Sequence, residues 1–151
     1  MSGAVKIDVD GAKELRRELA KLDLKDDLKE VNYDVAMLVV TRSRVFAFSP
    51  LQQKAAASLK AGRQMAKAVV TGGGAKAKFF GGAEFGADRN RMRTSGGRTY
   101  LGHNQFKAWR GSDRSAGYFL YPAIRANEAA IVEKYADEMD KLTKRAFPDT
   151  F

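Results

Sequence analysis

Val5, Ile7 and Val9 alternate with Lys6 and Asp8, the two-residue period of a half-buried strand. Asp10 is placed to cap a following helix, on which Leu15, Leu19 and Leu22 form one apolar stripe. Asp23 is placed to cap the next element, a long helix predicted from about residue 24 to Phe48. Leu24, Leu28, Val31, Val35, Leu38 and Val45 recur every three or four positions there, Val39 and Phe46 widen the stripe, and Arg42 interrupts it. Pro50 disfavours helical geometry at Ser49 and sets the end. Ala36 to Val40 is apolar nearly all round, which predicts burial on more than one side, by a sheet or by a neighbouring subunit. Leu38 and Val39 are therefore candidates for core or subunit contact.

Beyond Pro50 the pattern weakens. Residues 51–62 read as a weak helix or irregular arm rich in Ala and Lys. Residues 63–71 read as a strand, Gly72-Gly73-Gly74 as a turn, and Ala75 to Phe80 as a return strand, together a hairpin. Residues 86–117 show little periodicity and are expected to form a long extended loop. A loop of that length in a compact domain is generally functional or disordered. Tyr118-Phe119-Leu120 is a short apolar run, and Pro122 suits the first turn of a last helix. Ile124, Ile131, Tyr135, Met139 and Leu142 mark its apolar face, with an end near Phe147.

With 151 residues, 44% apolar and 30% charged, the chain has the composition of one folded domain spanning 1–151. The absence of cysteine excludes disulfides, thiolate metal sites and a cysteine nucleophile, and a single histidine, His103, excludes a multi-histidine metal site. No run of about 18 apolar residues exists to span a membrane. The N-terminus lacks a signal-peptide pattern, so no membrane partner is expected and the protein should stay in the compartment where it is made. The formal net charge is +9, unevenly spread: residues 35–114 hold 15 basic and 3 acidic residues, with no acid between Asp34 and Glu84. Such a segment attracts polyanions, nucleic acid above all. Arg89, Arg91, Arg93, Arg98, Lys107, Arg110 and Arg114 are the candidates to face DNA or a partner.

Candidate chemistry is sparse. The triple glycine is followed by Ala75-Lys76-Ala77-Lys78 with no hydroxyl, unlike a phosphate-binding loop. Asp23, Asp26 and Asp27 are where helix N-termini favour acids. Glu84 and Asp88 beside an arginine-rich segment could hold magnesium for phosphodiester cleavage, although no familiar nuclease pattern surrounds them. Tyr100, Phe106 and Trp109 between basic residues could stack on bases or, the favoured reading, anchor the segment to the body or to a neighbouring subunit. No catalytic residue, cofactor or metal site is expected.

Three short motifs stand in order along the chain: Ser49-Pro50 closing the long helix, Ala83-Glu84-Phe85-Gly86, and Tyr118-Phe119-Leu120-Tyr121-Pro122-Ala123 opening the last one. In this order the chain resembles the small tail-completion proteins of long-tailed bacteriophages, the gp-ten-like minor tail component family of the head–tail junction. The resemblance implies an α+β fold. Here that means a small antiparallel sheet packed against the long N-terminal-half helix and the C-terminal helix, with a long basic loop. It assigns structural roles to Pro50, Glu84, Phe85, Gly86, Phe119, Leu120 and Pro122. It implies a virion protein made in the host cytoplasm, without catalysis. The protein would assemble with itself into a cyclic ring (hexamer or dodecamer), contact connector, stopper, terminator or tube proteins, and surround packaged DNA. A free nucleic-acid-binding protein using residues 35–114 is the competing expectation.

Overall fold

A computed structural model describes residues 3–7, 24–88, 92–101, 105–111 and 115–148. The expected leucine helix at 11–22, its cap Asp10, and Asp23, His103, Arg89, Arg91 and Arg114 lie outside the described residues. The fold is α+β, as expected, with five helices and two small antiparallel sheets among the described residues.

Strand β1 (Gly3–Ile7) leads to the long helix α1 (Lys25–Val45), followed by α2 (Pro50–Ala57), β2 (Lys60–Gly62) and β3 (Ala68–Gly72). β3 is central. It pairs antiparallel with β1, Val5 opposite Val70, and with β2, Ala61 opposite Val70. Ala68, Val69 and Val70 are all buried. The chain then passes through a 3-10 turn, Ala75–Ala77, into α3 (Phe80–Phe85). A second sheet follows, β4 (Met92–Ser95) against β5 (Arg98–Leu101), and then helices α4 (Leu120–Ala126) and α5 (Glu128–Ala146).

Helix α1 is the spine, packed against β2, β3, α4 and α5. Leu28, Val31, Val35, Ala36, Val39 and Val40 meet Val70, Phe80, Phe119, Leu120, Ile131, Tyr135, Met139 and Leu142 in one core. Two polar residues share the buried face of α1. Asn32 donates through Nδ2 to the carbonyls of Gln64 and Met65, both at 2.8 Å, and Ser43 donates to Val39 O at 2.7 Å.

The stripe read from the sequence is only partly this face. Leu24, Val31, Leu38 and Val45 are spaced by strict sevens, and on a 3.6-residue helix each such step drifts about 20°. Val31 is therefore buried, Leu38 half-buried and Val45 66% exposed. Val39 is buried in the core. Leu38 packs against the edge of that core, half-buried as expected of a core contact, and also lines a groove of about 570 Å³ with Asp34, Met37, Thr41, Arg42 and Lys134. Leu38→Asp is expected to leave the fold standing, costing about 1–2 kcal/mol in a denaturant titration, since its charge can reach water.

The hairpin expected at 63–80 is not formed. β3 takes β1 and β2 as partners, and Ala75 to Phe80 continues as a 3-10 turn into α3. Phe80, Ala83 and Glu84 are its buried residues, at i, i+3 and i+4, a helical spacing visible only once Glu84 counts as an inward position. Residues 51–62 are resolved into α2 and β2. α2 opens on a capping box: Gln52 N donates to Ser49 Oγ at 3.2 Å, and Ser49 N donates to Gln52 Oε1 at 3.0 Å, with Pro50 in the first turn. The expected last helix is two. Asn127 ends α4, its Nδ2 donating to Ala123 O at 2.8 Å, and α5 buries Ile131, Tyr135, Met139 and Leu142 as the spacing predicted.

Candidate functional site

The second and third motifs meet at one carboxylate. Glu84, on α3, is fully buried. Its Oε2 accepts from the amides of Phe119 at 3.0 Å and Leu120 at 2.9 Å, and its Oε1 from Tyr121 at 3.0 Å. These are donors that the first turn of α4 leaves without a helical acceptor. The next residue, Pro122, has no N–H to satisfy. Burial pushes the Glu84 carboxyl above its ordinary range, while the amides of Tyr121, Leu120, Phe119 and Tyr118 pull it back. Both oxygens are spent on backbone, so Glu84 is not free to hold magnesium with the exposed Asp88. Among the described residues, no group of three or more His, Asp or Glu side chains is placed to hold a metal.

Glycines make the approach possible. Gly117 has φ +87°, and a Cβ there would collide with Glu84 Oε1. Gly86 has φ +79°, and a Cβ would run into the Ala108 carbonyl oxygen. That carbonyl lies close because residues 107–110 return alongside 85–87: Ala87 N donates to Lys107 O at 2.9 Å and Arg110 N to Phe85 O at 2.7 Å. Aromatic rings close the junction. Phe85 lies 5.6 Å from Tyr121 and 6.1 Å from Trp109, and Phe119 meets Phe80 edge-on at 5.6 Å. Tyr118 donates its hydroxyl to Ala108 O at 2.8 Å.

Most of the motif residues pack or hydrogen-bond within the fold. Phe119 and Leu120 are buried, and Phe85 and Pro122 are half-buried. Trp109 is no core residue; it is 57% exposed and caps Phe85 from outside. Gly117, Tyr118 and Tyr121 complete the junction; the two tyrosines stand in the third motif, and none of the three was assigned a role from the sequence.

From this junction the basic segment leaves the body. It is not one irregular loop: β4 and β5 form a ribbon joined by Gly96-Gly97, with φ +60° and +73°. Every described side chain on it is exposed, Met92 and Arg98 included, and Thr94 and Thr99 face each other across the strands at 3.1 Å. Lys107 and Arg110 stand at the base of the ribbon, exposed, each 5.1 Å from the Tyr118 ring. The described members of the cationic set therefore fall in two places, Arg98 on the ribbon and Lys107 with Arg110 at its base. Arg93 sits in β4 opposite Tyr100.

No helix among the described residues is long and apolar enough to cross a membrane. Compared with protein-family models, curated proteins and solved structures, the chain matches none.

Proposed function

We propose that this chain is a virion building block of the head–tail junction. In this reading it is a ring component that joins a phage tail to the head connector around the DNA channel, without catalysis. The observation that carries the reading is the β4–β5 ribbon, whose described side chains bury nothing. A two-stranded ribbon alone is marginal in water, so this one is completed by a neighbour. Its cationic residues suit a neighbour or channel that carries negative charge. The Glu84 junction supports the same reading, since it fixes the root of the ribbon and leaves the tip to a partner. Copies of the chain in a hexamer or dodecamer, with connector, stopper, terminator or tube proteins above and below, are the partners proposed.

Two measurements test this. Mass spectrometry of purified particles should find the protein at a few copies per virion, and loss of its gene should leave filled heads and tails unjoined. Intact particles lacking the protein refute the reading.

The +12 charge of residues 35–114 favours, second, a free nucleic-acid binder. That protein would retain DNA as a monomer with an affinity falling steeply in salt. Replacing Arg98 and Lys107 together by serine is expected to cost at most about 1–2 kcal/mol in thermal melts, because both are exposed and only the Tyr118 ring contact is lost. The same variant separates the readings: a free binder loses DNA retention, and a ring component loses joining.

A further inference from the structure

Two surfaces of this chain complement each other in charge and in apolarity. The first is the corner between α1 and α2, where Val45 is 66% and Phe48 is 78% exposed. Arg42 and Arg44 flank them, exposed and without an ion pair among the described residues. The second is the outer face of α5. Val132 is 45% exposed there, bordered by Glu133 and Asp137, which are also exposed and form no ion pair among the described residues. Lys134 on the same helix is taken by Glu138 at 2.8 Å, which leaves the outer face acidic. An exposed aromatic beside two arginines and an exposed valine with two acids along one side of it are the halves of one contact.

Taking the chain as a ring component, as proposed above, we propose that the Val45–Phe48 corner of one copy docks on the Val132 face of the next. The two patches differ, so the contact is heterologous. Each copy offers both patches, and repetition generates a closed ring or a filament. Charge pairing sets the register, and burial of Phe48 against Val132 supplies the apolar anchor.

The lack of cysteine in the chain makes the test clean. The full-length double variant Phe48→Cys with Val132→Cys, oxidised in solution and in particles, should give a ladder of covalent oligomers. The two single variants, mixed, should give only a heterodimer. Arg42→Glu with Arg44→Glu should abolish the ladder, and adding Glu133→Arg with Asp137→Arg should restore it. A Met92→Cys with Val132→Cys control that ladders equally well would overturn the proposal, as would the absence of any ladder from the 48–132 pair. The outcomes separate the two claims. Protein present in particles without the ladder overturns this interface and leaves the virion role; a ladder in solution with no protein in particles does the reverse.

Discussion

Glu84→Ala is expected to lower stability by about 3–5 kcal/mol, read as a shift in the urea midpoint at unchanged slope. Three amides of the first turn of α4 lose their acceptor at once, and a buried donor without a partner costs about 1–3 kcal/mol. Partial relaxation keeps the sum below three full penalties. For a chain of this size the melting temperature should fall by roughly 10 °C. Glu84→Gln keeps one oxygen but turns an amide N–H₂ towards backbone donors, so it should recover less than half of the loss. The pair also isolates the titration. Burial raises the Glu84 pKa above its reference of 4.5, so the native state takes up the proton at higher pH than the unfolded chain. Stability from this group is therefore complete below the unfolded value and is lost as pH rises through the folded one. The wild-type advantage over Glu84→Gln should grow on acidification from neutral pH towards 4.5. An advantage that shrinks would show that the amides, not burial, dominate.

Gly117→Ala is expected to cost about 3 kcal/mol, nearly as much as removing the carboxylate it faces. Alanine at φ +87° is strained by about 1–2 kcal/mol, and its Cβ displaces Glu84 Oε1 from the Tyr121 amide. Because both substitutions break the same bonds, the double variant Glu84→Ala with Gly117→Ala should lose much less than the sum of the two. A strictly additive cycle in denaturant titrations would mean that Gly117 acts only through its own backbone.

The frame of this molecule was legible in ordinary periodicities. α1 follows from its apolar spacing and Pro50, the inward face of α5 from Ile131, Tyr135, Met139 and Leu142, and β1 from Val5 and Ile7. What escaped has identifiable causes. The strict sevens of Leu24 to Val45 look like one face until the drift of a straight helix is counted, and Asn32 and Ser43 fill the positions that hydrophobicity alone leaves blank. The strand proposed at 75–80 rested on Lys and Ala alternation too short to distinguish from a turn entering a helix. The Ser49 and Gln52 capping box and the Gly96-Gly97 turn were both readable as local chemistry, one at a helix start, the other between strands of equal length. The Glu84 junction could not be built from local pattern, because its two halves are 35 residues apart and a buried acid looks like a surface one until its donors are known. Each motif supplies one half of the contact, but the sequence alone does not bring the halves together.

The ribbon has a consequence for how this protein can change. Its chain leaves at Ala87 and comes back at Ala108, two positions held side by side by backbone bonds, and Phe106 packs back against Gly82, so the described ribbon is rooted at a single collar. Closing a longer or shorter excursion there adds only fractions of a kcal/mol per doubling of length. The appendage is thus a replaceable part: its reach and its charge can be retailored while the scaffold beneath keeps the same melting behaviour.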